Sequence, residues 1–324
     1  MEKTLLILSL LLAACLSRAA ADSQTKRALG PFSVGENMAV TFSTGNLQFN
    51  AMNGERQCAD GTTQTGTWRF AENQWDYIGD DKKNISNSYN GWIDLFAWGT
   101  SGWSSGAEEY MPYATNENNS AYYPGGNLIY GLTDAYAYAD WGRYNRIGAD
   151  APGTWRLLTN EEWLYLLHKR KDAELLFALG TVNGVNGLIL LPDNTHIPDS
   201  IGFTPSTTKN LEWYNGGFYY LRNGRCYFHN NYTAGQWRQL ELLFGAVFLP
   251  DAGYRDLTSS LMYVSGFGGS YWESVPANAD RAYRLHFSAS YVYPQDYQER
   301  HMGFSVRLVR DLATGCECRK YQSR

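Results

Sequence analysis

The side chains with the widest chemical range in this chain stand close together near its C-terminal end. Between positions 284 and 302 lie Arg284, His286, Ser288, Ser290, Tyr291, Tyr293, Asp296, Tyr297, Glu299, His301 and Met302. They are interleaved with Ala282, Leu285, Phe287, Ala289, Val292, Pro294 and Gly303, which have the character of a fixed frame. The first set mixes cation, anion, imidazole, hydroxyl, phenol and thioether, and no single reaction needs them all. Recognition can use such a mixture, because Tyr supplies rigid amphipathic area and Ser supplies adaptable hydrogen bonds. On this reading Tyr291, Tyr293 and Tyr297 are aromatic anchors, while Arg284, His286, Asp296 and Glu299 provide polar specificity. The same alternation also describes any half-buried strand with its polar side in water. A ligand face and a plain solvent face both fit it.

Nucleophilic and metal chemistry find less support. Apart from Cys15, the cysteines are Cys58, Cys226, Cys316 and Cys318, too few for a disulfide scaffold in 324 residues. Cys58 and Cys226 could pair in an oxidising compartment, which spacing alone does not decide. The Cys316-x-Cys318 pair lies in a polar tail with Arg319, Lys320 and Arg324, without further Cys or His nearby. His168, His196, His229, His286 and His301 are isolated, and none stands at a ligand spacing such as i, i+4. The expectation is no metal, no cofactor and no catalysis.

The elements that would position these residues are mostly short strands. Phe32-Ser33-Val34 and Met38 through Phe42 read as strands joined by a Gly35-Glu36-Asn37 turn, with a further strand at Gly45-Asn46-Leu47-Gln48-Phe49. Positions 50–66 are polar and read as a loop, and Thr67-Trp68-Arg69-Phe70 opens an apolar segment. From 78 to about 147 the sequence has no clear period but is rich in aromatics, among them Trp92, Trp98, Trp103, Tyr110, Tyr113, Tyr122 and Tyr123. That composition argues against disorder and for structured loops on a scaffold. The clearest helix begins at Thr159, whose spacing to Glu162 is that of a capping box. Trp163, Leu166 and Leu167 give it an apolar face, and Lys169, Arg170 and Lys171 suit a helix C-terminus. Gly187 through Pro192 and Ala246 through Pro250 are short buried strands ended by proline. Gly303 through Arg310 reads as a final alternating strand, with Phe304, Val306 and Leu308 on one face and Arg307 and Arg310 as surface charges.

The N-terminus sets the expected compartment. Leu5 to Ala14 is apolar apart from Ser9, too short to span a bilayer and of the length of a signal-peptide core. Leu12-Ala13-Ala14-Cys15 has the form of a bacterial lipobox, which would lipidate Cys15. Ala19-Ala20-Ala21 before Asp22 offers ordinary cleavage, giving a periplasmic or secreted protein instead. The segmentation that follows is a leader at 1–21, a linker at 22–30, one domain at 31–310 with a candidate variable segment at 271–302, and a polar tail at 311–324. A net charge of −5 excludes a global basic field for nucleic acid. With 24 Tyr, 11 Trp, 14 Phe and 32 Gly, the chain suits a loop-rich fold that displays aromatics.

Particular segments carry a family resemblance. Trp155-Arg156-Leu157-Leu158-Thr159-Asn160-Glu161-Glu162-Trp163 is similar to the R-L-P-T-E-A-E-W segment of the formylglycine-generating-enzyme-like (sulfatase-modifying factor) family. Gly268-Gly269-Ser270-Tyr271-Trp272 through Gly303-Phe304-Ser305-Val306-Arg307 looks like its C-terminal G-G-S-W…G-F-R element. Gly45-Asn46-Leu47-Gln48, Trp68-Arg69-Phe70, Trp75 through Gly79 and Gly91 through Phe96 resemble bacterial surface lipoproteins of the same fold, which include the variable proteins of diversity-generating retroelements. The resemblance covers roughly 30–310 and implies an α+β, C-type-lectin-like domain with a small mixed core and long loops. It implies that Trp272 and the Asp251 to Arg255 turn, with Tyr254, support the core. In the variable proteins, the interleaved positions named above are those that a reverse-transcribed template randomises. The family's enzymes use a cysteine pair in the C-terminal core, whereas this chain has no cysteine between Gly268 and Arg310. The Glu-Pro-Asn or Gln-Pro-Asp calcium motif of sugar-binding lectins is missing too, Pro294-Gln295-Asp296 having similar residues in another order. The expectation is therefore a receptor-like or adhesin-like lipoprotein at the outer membrane or cell surface, recognising a protein or glycan and no nucleic acid. An enzyme on the same fold and a structural surface or fimbrial subunit are the alternatives.

Overall fold

The computed structural model describes residues 29–78, 90–103, 130–209, 211–220, 227–255, 262–263 and 268–313. Its strands are β1 (Leu29–Gly35), β2 (Met38–Phe42), β3 (Leu47–Gln57), β4 (Thr63–Phe70), β5 (Phe177–Val182), β6 (Val185–Leu190), β7 (Leu211–Tyr214) and β8 (Gly217–Tyr220). The chain continues through β9 (Asn231–Tyr232), β10 (Val247–Pro250), β11 (Tyr254–Arg255), β12 (Met262–Tyr263), β13 (Gly269–Pro276), β14 (Arg281–Ser288), β15 (Tyr291–Glu299) and β16 (Val309–Asp311). The α-helices are α1 (Trp141–Tyr144), α2 (Asn160–Leu164) and α3 (Ala234–Phe244). The class is α+β, strand-dominated. Among the described residues no helix is long and apolar enough to cross a membrane.

Two sheets organise the core. One has the order β10-β6-β5-β9 and the other β13-β14-β15-β8-β7. Between them lies a first apolar cluster, in which Phe177, Leu179, Leu188 and Leu249 of the four-stranded sheet meet Tyr271, Leu285, Phe287, Val292 and Phe218 of the five-stranded one. The hairpin β1-β2 and helix α2 add Phe32, Phe42 and Trp163 to this layer. On the far side of the four-stranded sheet, Ile189 and Phe248 pack with Trp237 and Leu240 of α3. On the far side of the five-stranded sheet, Trp272 and Ala282 pack with Phe304, Val306, Trp98 and the β3-β4 ribbon. Tyr271 and Trp272 are neighbours in β13 yet belong to different clusters, as strand alternation requires. The order through the molecule is α3, four-stranded sheet, first cluster, five-stranded sheet, second cluster.

Local signals account for much of this. The β1-β2 hairpin turns at Glu36-Asn37, with Asn37 at φ 59°. Thr159 caps α2, its hydroxyl accepting from Glu162 N–H while the Glu162 carboxylate accepts from Thr159 N–H. The helix is α-type only to Leu164 and then widens into a π turn, Tyr165–Lys169. The chain leaves that turn through Arg170, which lies buried against Asp193 at 2.9 Å instead of serving as a surface cation. Gly187 through Leu190 and Val247 through Pro250 are buried, and they pair antiparallel. Trp272 is buried and its indole donates to the Phe96 carbonyl at 2.7 Å, and Tyr254 packs at 6.1 Å on Phe304.

Three expectations change. Positions 50–66 are not a loop: β3 and β4 continue as a ribbon to the Gln57–Thr63 pair. Their polar sequence reflects exposure of positions 52–55, while the backbone groups pair across the ribbon. An irregularity between Asn50 and Glu55 accompanies Gly54 and Gly66, both at positive φ. Gly303 through Arg310 is not one alternating strand either. Phe304 and Ser305 make isolated bridges to Phe96 and Tyr271, and only Val309–Asp311 forms a ladder, with β2. This segment is buried on both sides from Gly303 to Val309, so its alternation separates two interior environments rather than core from water. Arg307 is accordingly interior, donating to Gln74 Oε1 at 3.0 Å, and burial lowers its pKa to about 10; Arg310 is exposed. The β16 ladder runs to Asp311, and Leu312 N–H donates to the Ala39 carbonyl.

Candidate functional site

The register of β13, β14 and β15 sorts the sequence-predicted residues onto two sides of one sheet, since directly opposed residues in antiparallel pairs share a face. Ser270 is opposite His286 and Trp272 opposite Arg284. Arg284 is opposite Asp296, His286 opposite Tyr293, and Ser288 opposite Tyr291, which in turn is opposite Tyr219 of β8. A register shift between Arg284 and His286 keeps Tyr293 and Asp296 on the same side although they are three positions apart. These residues form the open face, continuous with the second cluster. Tyr297 and Glu299 face the other way, opposite Tyr283 and Arg281 on the side of Leu285 and Phe287. Ser290 lies exposed in the β14-β15 turn, and Ser288 Oγ accepts from its N–H at 3.3 Å. His301 is half-buried after β15. Met302 is buried in the second cluster at 8% exposure.

On the open face the polar groups are joined end to end. Asp296 pairs with Arg284 at 2.7 Å, and Arg284 Nη1 donates to Ser270 Oγ at 3.0 Å. Ser270 Oγ is 3.1 Å from His286 Nδ1, and His286 Nε2 is 2.6 Å from the Tyr291 hydroxyl. His286 Nδ1 also lies 3.1 Å from the Gly269 carbonyl, which can only accept. A proton on Nδ1 therefore satisfies Gly269 and leaves Nε2 to accept from the Tyr291 hydroxyl. Arg284 is 8% exposed and its guanidinium lies 4.7 Å from the Phe304 ring centre, so the ion pair is roofed by side chains rather than by water. Burial, and then the Arg284 charge, lower the His286 pKa to about 4, so the ring is neutral at neutral pH. Burial raises the Tyr291 pKa.

Above this network stands a row of phenols. Tyr219 lies 6.3 Å from Tyr291 and 6.2 Å from Tyr293, ring centre to ring centre, and Tyr293 packs over Gly216 and Gly217. Any Cβ at Gly217 would meet Tyr293 at 2.8 Å, so glycine is what lets the β7-β8 hairpin slide under that ring. The turn is Asn215-Gly216, both at positive φ as a type I′ hairpin requires. Tyr291 and Tyr293 are half-exposed while their strand is fixed by Val292 in the core. Such a rigid row can offer stacking area, with the Tyr291 hydroxyl turned inward to His286 Nε2.

Nucleophilic catalysis fits this geometry poorly, because Ser270 is 1% exposed and its hydroxyl already accepts from Arg284. Among the described residues no three of His, Cys, Asp and Glu converge on a point where a metal ion would sit. Cys58 is a buried free thiol; Cys15, Cys226, Cys316 and Cys318 lie outside the described residues, as do Tyr110, Tyr113, Tyr122 and Tyr123. Of the aromatic loop region, Trp98 is core, Trp92 stacks under the Arg69 guanidinium at 3.8 Å, and Trp103 packs edge-on against Tyr138.

Three participants escaped the sequence reading. Tyr219 was reachable through the Asn-Gly turn flanked by aromatic runs. Ser270 stands in the Gly268 to Trp272 segment that resembles the family's G-G-S-W element, and nothing in its neighbours marks it as the link between Arg284 and His286. Glu273 is buried in β13 with neither carboxylate oxygen hydrogen-bonded, and burial raises its pKa well above the carboxylate range. A separate cleft of about 550 Å³ opens by Asp140, Arg143 and the Arg156–Glu162–Asp311 ion pairs, and none of the sequence-predicted residues lines it. Burial raises Asp140 to a pKa of about 6, although its carboxylate accepts from Gly142 and Leu157 N–H. No family model, curated protein or solved structure matches this chain.

Proposed function

We propose that this chain is a surface-displayed, lipid-anchored binding protein whose open sheet face recognises a protein or a glycan. The anchor is Cys15 in Leu12-Ala13-Ala14-Cys15. The domain is read as C-type-lectin-like, on the strength of the Trp155 to Trp163 and Gly268 to Arg307 segments, and the variable proteins of diversity-generating retroelements are the group it resembles. The observation that carries the reading is the phenol row Tyr219, Tyr291 and Tyr293, half-exposed and braced by the Asp296–Arg284–Ser270–His286 chain beneath it. Binding sites pair rigid aromatic anchors with convergent polar groups. In this division of labour Tyr291, Tyr293, Ser288 and Ser290 touch the ligand, and Arg284, Asp296 and His286 hold them in place. Tyr297 and Glu299 belong to the opposite side and contribute to a different surface. No metal or cofactor enters this mechanism, which is equilibrium recognition.

Sequencing the gene and its downstream DNA in many isolates tests the diversification part. The expected result is a near-copy of the codons for 271–310 beside a reverse transcriptase gene, with substitutions at template adenines and concentrated at open-face codons. Identical codons in all isolates with no copy nearby would remove diversification and leave a fixed receptor.

A further inference from the structure

The only sizeable α-helix among the described residues, α3, presents an unexpected end to solvent. Its inward side is Trp237 and Leu240, packed in the cluster with Phe248 at 5.5 Å. The next residues on that side are Glu241 and Phe244, whereas Leu242 and Leu243 point away from the core, 82% and 69% exposed. Two adjacent leucines left in water on an otherwise amphipathic helix are a liability unless something covers them. Position tells what lies nearby. The helix ends at Gly245, at φ 69°, and a Cβ there would lie 3.5 Å from the Gly30 carbonyl oxygen and 3.7 Å from Gly30 N. Gly30 is where the chain enters β1 from the N-terminal segment that carries Cys15. Between Cys15 and Leu29 lie 13 residues, a reach of at most about 45 Å when fully extended. The leucine pair thus sits at the point where the proposed anchor joins the fold. Exposed Arg238, one turn before Leu242 on α3, adds a cation suited to anionic headgroups.

Resting on the lipid-anchor reading above, we infer that Leu242 and Leu243 form a membrane-contacting edge that enters the headgroup region of the anchoring bilayer. An anchor at Cys15 fixes where the domain is held; a second contact fixes its orientation. An apolar edge that enters the headgroup region adds its buried area to what the acyl chains contribute. The layer order gives the orientation a purpose. Helix α3 covers the outer side of the four-stranded sheet, and the open face belongs to the outer side of the five-stranded sheet. Docking α3 on the bilayer turns Tyr219, Tyr291 and Tyr293 away from it.

The full lipidated chain is reconstituted in phosphatidylethanolamine–phosphatidylglycerol vesicles containing a phospholipid with a photoreactive acyl chain. It is then irradiated, digested and mapped by mass spectrometry. The expected lipid adducts fall on the peptide containing Leu242 and Leu243 and are lost at least tenfold in L242D/L243D, whose circular dichroism matches the parent. Adducts spread over the surface, or absent from α3, would overturn the inference. A change of oligomeric state in detergent caused by L242D/L243D would also overturn it, in favour of a second copy as the occupant. The mass of the N-terminal peptide reports acylation of Cys15 independently, so loss of the anchor reading is distinguishable from loss of the α3 contact.

Discussion

The β14-β15 hairpin holds two arginine–carboxylate pairs, one on each face, and they live in different worlds. On the open face Arg284 meets Asp296 with side chains 10% and 23% exposed, under Phe304 and beside Ser270 and His286. On the other face Arg281 meets Glu299 at 2.9 Å with side chains 43% and 29% exposed, near Tyr297. The strands and the charges are the same, with Asp in one pair and Glu in the other. What differs is what the sheet has stacked upon it. The first pair is a brace inside a polar network and the second is a surface decoration. A buried charge that loses its partner is left desolvated, whereas a surface charge falls back on water. The comparison teaches that residue type alone does not make a site; the layer on which a strand presents it does.

Substitutions can break or sharpen this contrast. The largest effect is expected where the hairpin is pinned to the first cluster. Phe287→Ala removes a fully buried ring stacked with Tyr271 and should cost about 3–5 kcal/mol in denaturant unfolding. That loss would disturb both faces together and so sets the scale.

Acid titration gives the next. The His286 pKa is lowered from 6.5 to about 4, so the folded state binds fewer protons than the unfolded one. The stability this contributes is complete above pH 6.5 and is lost as the pH falls toward 4, by roughly 3 kcal/mol in total. Asp140, raised from 3.8 to about 6, has the opposite sign: it is stabilising at low pH and loses that stability as the pH rises through 6. Glu273, which burial raises well above the carboxylate range, has the same sign as Asp140, so the parent protein shows the His286 slope set against both carboxyls. His286→Gln should remove the destabilising acid limb and let the Asp140 slope show. An unchanged pH profile would mean that His286 is not held neutral by its surroundings.

The two ion pairs supply the direct comparison. Asp296→Ala strands Arg284 under Phe304 and should cost about 2 kcal/mol. Glu299→Ala should cost under about 1 kcal/mol and should become undetectable in high salt. Equal losses at the two sites would erase the distinction between the faces. Finest of all, Tyr291→Phe removes only the hydroxyl that contacts His286 Nε2 at 2.6 Å; it should cost about 1 kcal/mol and shift the His286 titration measured by NMR.

How far all this is legible in the sequence depends on the range of the physics involved. The capping box at Thr159, the Glu36-Asn37 turn and the paired strands ending in Pro192 and Pro250 are set by neighbours in the chain and can be read there. The ribbon β3-β4 could not, because exposed polar strands and polar loops have the same composition and differ only in cross-strand pairing. The final segment from Gly303 misleads for the opposite reason. It alternates, yet both of its sides are interior, and Arg307 is buried without any local sign. At the site, the alternation in β14 and β15 was visible, but the register shift between Arg284 and His286 was not. That one shift keeps Asp296 with Arg284 and sends Tyr297 and Glu299 to the other side. No periodic reading could have sorted them.

The central claim is that ligand recognition belongs to the open face. Its most direct test is a dissociation constant. A ligand is first identified by screening the purified chain on glycan arrays and against a library of displayed surface proteins. Affinity is then measured for Tyr293→Ala and Tyr219→Ala on the open face and for Tyr297→Ala on the opposite one. The account predicts at least about tenfold weaker binding, 1.4 kcal/mol, for each of the first two and unchanged binding for the third. Full affinity in the first two with loss in Tyr297→Ala would contradict it and move the binding surface to the other side of the sheet.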